Sequence, residues 1–218
     1  MTAVPRELAR DIAGATLAHA GLVSGLGALT DAQVAQPSLL PGWTVGHVLT
    51  HIARNADSHA LMLQAADRGE VGQQYPGGVQ QRNDEIEAGA ARPAREQVAD
   101  LAAAAVRLEA VWAEMSPMGW EGDGLSVVGQ VKVADLPFRR WRETVVHHAD
   151  LGLGYSWADW PGEYVRLELQ RSMMLWASRK PMGLTTLPAA ATALSDHERL
   201  AWLLGRTVPP GLEPAGIF

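Results

Sequence analysis

Leu136-Pro-Phe-Arg-Arg-Trp-Arg-Glu-Thr-Val-Val-His-His-Ala-Asp-Leu151 is the stretch on which the fold turns. Its spacing predicts a helix over about 135–151 with two different sides. Phe138, Trp141, Val145 and His148 form one side; Leu136, Arg140, Glu143, His147 and Asp150 form the other. An apolar side opposite an ionisable side suits a helix lying between a bundle core and a cleft. Glu143 and His147 are four apart, so both side chains project from one face. His51 lies far upstream in another helical segment. Two imidazoles and a carboxylate from two helices make a ligand set for a divalent metal with an open coordination position.

Working outward, helical patterning dominates the first two thirds of the chain. Residues 4–28 are rich in Ala and Leu, and 30–36 fit one short helical turn. Leu40-Pro-Gly-Trp-Thr44 reads as a turn ending in a capping hydroxyl, and the helix behind it runs to about Asp67. The segment 69–78, punctuated by Gly72, Pro76, Gly77 and Gly78, is expected to be a loop. Pro93 suits the start of a long helix to about Met115, whose stripe is Val98, Leu101, Ala105, Leu108, Trp112 and Met115. Leu125–Val133 alternates like a short hairpin. Four long helices with short connections predict a mainly α, up-down four-helix bundle.

After Gly154 the composition changes, and a soft boundary near 155 divides a bundle over 1–154 from a small C-terminal α or α+β segment over 155–218. Residues 163–179 read as helix, and 183–193 are weak, with one strand at most. Ser195-Asp-His-Glu198 has the spacing of a capping box and opens a last helix carrying Leu200, Leu203 and Leu204.

Composition narrows the chemistry. The formal net charge is −6 and only Lys132 and Lys180 are lysines, which argues against nucleic acid as a partner. There is no cysteine, so a disulfide, a thiolate zinc site and a protein thiol nucleophile are all excluded. Sulfur chemistry would need an external thiol. No run approaches 18 apolar residues, and Met1–Gly14 carries charges where a signal peptide would be apolar. A cytoplasmic protein with no membrane partner is the expectation.

Taken singly, each motif has a plainer explanation. Glu-x-x-x-His and His47-x-x-x-His51 are ordinary i,i+4 helix pairs, and spacing alone does not choose between His47 and His51. Asp150 fits a metal ligand, a partner orienting an imidazole, or a helix-end residue. The basic run Arg139-Arg140-Trp-Arg142 fits an anion site or a solvated face.

Read together and in order, the motifs resemble a known family. Gly42-Trp-Thr44, His47-Val-Leu-Thr-His51 and Asn55 are similar to the first metal-binding helix of the DinB-like four-helix metalloproteins. Arg82-Asn-Asp-Glu-Ile86 and Arg140-Trp-Arg-Glu-Thr-Val-Val-His-His-Ala-Asp-Leu-Gly152 resemble the signatures of one branch, the mycothiol-dependent maleylpyruvate isomerases. The resemblance covers about residues 1–155. It implies zinc, or another divalent metal, on His51, Glu143 and His147, which leaves His47 and His148 to support the ligands or to pack, and Asp150 is a candidate for orienting an imidazole from behind. It further implies a C-terminal domain contributing an arginine, for which Arg206 is the nearest match, although this region is shorter than the family's. Mycothiol would supply the thiol, as cofactor or co-substrate, and Arg82, Asn83 and Arg140 are candidates for holding substrate or thiol. The implied reaction is cis–trans isomerisation by reversible thiolate addition to an electrophilic small molecule. A thiol S-transferase and a non-catalytic metal-binding module are the alternatives, and monomer and homodimer both fit.

Overall fold

Thr44 opens the longest helix of the protein. Its hydroxyl accepts from the His47 backbone N–H while the His47 ring returns a contact to the Thr44 backbone, a capping box built on histidine. The structure, a computed structural model, describes residues 5–179 and 185–217. The chain divides into two compact units, Met1–Gly152 and Leu153–Phe218.

The first unit holds α1 (Arg6–Gly25), α2 (Asp31–Val34), α3 (Val45–Asp67), α4 (Gly78–Ala90), α5 (Ala94–Glu114), α6 (Pro117–Trp120) and α7 (Leu136–Asp150). Helix α3 packs along α5, α4 and α7, and α1 packs on α7 and α5. The core is aliphatic along α3, where Val48, Leu49, Ile52, Met62 and Leu63 are fully buried. Leu101 and Leu108 of α5, Leu136 and Trp141 of α7, and Leu22 of α1 close around them.

This is the mainly α bundle that the sequence predicts, with differences in detail. The expected loop over 69–78 contains β1 (Gly72–Gln73), which runs parallel to β2 (Asp123–Ser126). The latter forms the expected hairpin with β3 (Gly129–Lys132), Asp123 opposite Lys132 and Ser126 opposite Gly129. Helix α4 has no counterpart in the periodicity. Only Ile86, Gly89 and Ala90 of its 13 residues are buried, so it carries no apolar stripe.

The buried face of α5 contains Leu101, Ala105, Leu108 and Trp112 of the expected stripe and is widened by Ala94, Gln97 and Ala104. Gln97 lies in it and Val98 at its margin. Gln97 belongs there because its amide donates to the carbonyls of Gly89 and Ala90, closing the C-terminal end of α4, while its oxygen accepts from Thr50. Gly46 of α3 meets that same end of α4. A β-carbon there would overlap the Ala90 carbonyl oxygen, so only glycine allows the approach.

The second unit contains α8 (Gly162–Ser178), α9 (Ala189–Thr192) and α10 (Asp196–Leu203). Where a strand was allowed over 183–193, residues 189–192 form α9, and 183–184 lie outside the described residues. Ser195 caps α10 by accepting from the Glu198 backbone, but the reciprocal Glu198 contact of a full capping box is absent among the described hydrogen bonds. Trp176 and Trp202 pack with ring centroids 4.9 Å apart, and Tyr164 stands edge-on to Trp160. No helix among the described residues is long and apolar enough to cross a membrane.

Candidate metal centre

Residue 51 faces inward two turns into α3, and residues 143 and 147 face it from α7. His51 Nε2 lies 3.1 Å from Glu143 Oε2, and His147 Nε2 lies 3.4 Å from the same oxygen. One ligand atom from each of His51, Glu143 and His147 falls within 4.8 Å of the other two. The two imidazoles meet edge to face, centroids 4.9 Å apart. Such a convergence of two nitrogens and one oxygen, with one side on a cavity, is the donor chemistry of an open divalent site.

Neighbouring groups fix the ligand atoms. His147 Nδ1 pairs with Asp150 Oδ2 at 2.8 Å, which turns Nε2 toward Glu143. Asp150 is itself buried, and its backbone carbonyl accepts from Leu39, tying the loop before α3 to the end of α7. Trp43 sets its ring against His51, centroids 5.5 Å apart.

The electrostatics split the two imidazoles. Burial is the main cause that pulls His51 down to about 4, against the opposing pull of Glu143, so its ring is neutral at neutral pH. Burial also presses His147 downward, but the Asp150 and Glu143 carboxylates outweigh it and raise His147 to about 9. Burial would raise Glu143; hydrogen bonds from His147 and His51 and their charge overrule it and hold the carboxyl well below its usual range. Without metal the cluster is thus an ionised Glu143 bridging a protonated His147 and a neutral His51.

The cluster lines a pocket of about 320 Å³ whose other walls include Asn55, Gln74, Tyr75, Val79, Arg82 and Val127. Arg82 lies over the Trp43 ring at 5.8 Å, with Nη2 3.3 Å from His51 Nδ1 and Nη1 donating to Asn83 Oδ1 at 3.1 Å. Asn83 is exposed and braces Arg82 rather than lining the pocket. His47 stands outside the cluster: its Nδ1 is 2.7 Å from Thr44 Oγ1 and its Nε2 is 3.2 Å from Glu87 Oε2.

Arg140 departs most from its expected role. It is 0% exposed, with Nε donating to His19, and Nη1 to the Ile52 carbonyl and Asn55 Oδ1. A guanidinium enclosed in this way is no carboxylate clamp in this conformation. Arg206 belongs to the second unit, where Nη1 donates to the Leu204 carbonyl.

Tyr75 and Gln74 went unread in the sequence because they sit between glycines and prolines that signal only a loop. Gln74 accepts from the Val127 backbone, holding the hairpin turn to the pocket. Burial pushes the Tyr75 hydroxyl above its ordinary value, so it stays protonated and available as a donor.

Three comparisons bear on this geometry. The family model for the mycothiol maleylpyruvate isomerase N-terminal domain matches residues 15–152. Among solved structures, the crystal structure of the mycothiol-dependent maleylpyruvate isomerase superposes with a TM-score of 0.81 at 23% identity, covering 94% of this chain and 90% of that one. A variant of that enzyme with one histidine replaced by alanine gives the same figures. At such identity the likeness shows the fold. No curated protein matches the chain.

Proposed function

The chain belongs to the family of the mycothiol maleylpyruvate isomerase N-terminal domain, and from that premise we propose that it is a metal- and thiol-dependent isomerase acting on an electron-poor double bond. The observation that carries this reading is the convergence of His51, Glu143 and His147 on one wall of a pocket. A divalent ion held there, zinc in this proposal, would supply a Lewis acid that makes a thiol nucleophilic near neutral pH.

The protein has no cysteine, so the thiol comes from outside; mycothiol is the one the family uses. The chain's own groups prepare the pocket for it. Burial keeps His51 neutral, the form in which an imidazole ligates a metal. Asp150 orients His147 and accepts from its Nδ1. Arg82 is the half-buried cation on the pocket wall and can pair with a carboxylate of substrate or thiol. Val79 and Val127, both exposed, add apolar surface to the pocket rim.

The test combines metal analysis with thiol stoichiometry. Purified protein should hold about one divalent ion per chain by the three-ligand argument, and the His51→Ala, Glu143→Ala and His147→Ala proteins should each lose most of it. Maleylpyruvate should be isomerised with a catalytic amount of mycothiol that survives many turnovers. One thiol consumed per product would instead make the protein an S-transferase. A His51→Ala protein that keeps its metal while His47→Ala loses it would overturn the ligand assignment.

A further inference from the structure

Asn55 lies one helical turn beyond His51 on α3, so the two side chains share a face. It is 4% exposed and lines the metal pocket. Its Oδ1 accepts from Arg140 Nη1 at 2.9 Å. Arginine donates only, so the amide oxygen must face Arg140 and the amide nitrogen must face away. That nitrogen has no acceptor among the described residues, and it is not sealed off from accessible space as the buried orphan atoms are. Two N–H donors are therefore held in fixed orientation at the pocket wall.

Arg140 is arranged to keep them there. It is fully buried, and among the described residues its contacts are a neutral imidazole, a carbonyl and an amide, with no carboxylate in direct contact and Nη2 left without a hydrogen-bond partner. A buried cation costs several kcal/mol unless it is well solvated by protein dipoles. Three elements meet on it: α1 through His19, α3 through Ile52 and Asn55, and α7, which carries it. His19 passes the linkage to Glu109 of α5, with Nδ1 2.7 Å from Oε1. The Asn55 rotamer is thereby pinned from the core outward.

We propose that Asn55 is a catalytic donor that binds the carbonyl oxygen of a conjugated electrophile, with Arg140 as the positioning residue that orients it. This rests on the isomerase reading, whose electrophile is a conjugated carbonyl compound, and adds to it the group that receives the oxygen. The step balances without an outside proton. The thiolate sulfur forms a bond to the β-carbon, the double-bond pair becomes the α-carbon to carbonyl-carbon double bond, and the carbonyl pair moves to oxygen. The resulting enolate oxygen is the atom that receives the Asn55 N–H bonds. The former double bond is now single and rotates. The oxygen pair then reforms the carbonyl, the α,β double bond returns in the trans sense, and the sulfur leaves as thiolate. Neutral donors suit this role because they stabilise developing charge without pairing permanently with an anion. Electrophiles displaced at saturated carbon develop no such oxygen and gain nothing from Asn55.

The test separates this proposal from the isomerase reading by using a probe that needs no thiol. Zinc-loaded protein is given 4-oxopent-2-enoate carrying carbon-13 at the ketone, and the ketone infrared band is recorded. In the wild type the band should move to lower wavenumber than in water. In N55D, which keeps the acceptor for Arg140 and the side-chain shape, and in N55S, it should return toward its solution position with zinc content unchanged. The kinetic counterpart is a fall of ~10²–10³-fold in kcat with KM little altered. An unshifted band in the wild type, or a full shift retained in both variants, overturns the role of Asn55 whether or not mycothiol supports turnover. A purely structural Asn55 would change thermal stability or zinc content and leave the band in place, which also overturns it.

Discussion

At the residue scale, the cluster depends on side chains that never touch the ion themselves. Asp150 holds His147 from behind, so Asp150→Ala should lower zinc affinity by about 10–100-fold while leaving all three ligands in place; competition with a chelating dye measures this. Acid titrates a different pair. Burial, then the charge of Arg140, pulls His19 to about 2 and His59 to about 3. Both are depressed below the unfolded value of 6.5, so the unfolded chain binds more protons below that pH and stability falls as the medium is acidified. Above pH 6.5 the pair contributes no slope. Each imidazole steepens the acid limb by up to ~1.4 kcal/mol per pH unit, so His59→Leu should flatten it in urea titrations run at pH 4 to 7. An unchanged limb would mean that His59 is not buried as a neutral ring. Of these residues, Glu143 and His147 could be read from spacing, because i,i+4 is a local relation. The pairing of Arg140 with Asn55 could not: it spans 85 positions and involves a residue type that usually sits on surfaces.

At the element scale, the long helices carried their period in the sequence and α4 did not. Its residues 80–85 are Gln, Gln, Arg, Asn, Asp and Glu, and it stays helical by packing only its last turn, where Gly89 and Ala90 meet α3 and Gln97. A helix with so short a buried edge leaves no hydrophobic repeat to detect. β1 was equally silent, because two residues cannot show an alternation. The contact at Gly46 makes a clean test of this element. Gly46→Ala should destabilise the protein by about 1–3 kcal/mol through overpacking against the Ala90 carbonyl, although alanine favours helix intrinsically. Denaturant unfolding would register the loss. An increase in stability would mean that α4 can move aside at no cost.

At the scale of the whole chain, the ligand cluster and its pocket lie within Met1–Gly152, which also contains the family match over 15–152. A ligand that binds only the folded state stabilises what it touches. Zinc should therefore slow amide hydrogen exchange in α3 and α7 more than in α8 and α10; equal slowing in both units would show that they open together. The change of composition after Gly154 and the helical period before it were visible in the sequence. In the second unit α8 and α10 were also legible, at 163–179 and behind Ser195; α9 was not, since the Thr, Ala and Pro residues around it favour no single state. Finally, the indole of Trp43 stands 5.5 Å from the His51 ring with the Arg82 guanidinium 5.8 Å away, and it is one of eight tryptophans. The light that an indole emits responds to charge at such range. The protein thus carries its own optical meter: the difference in emission between wild type and Trp43→Phe, followed as metal is added, reports the filling of the centre without any attached dye.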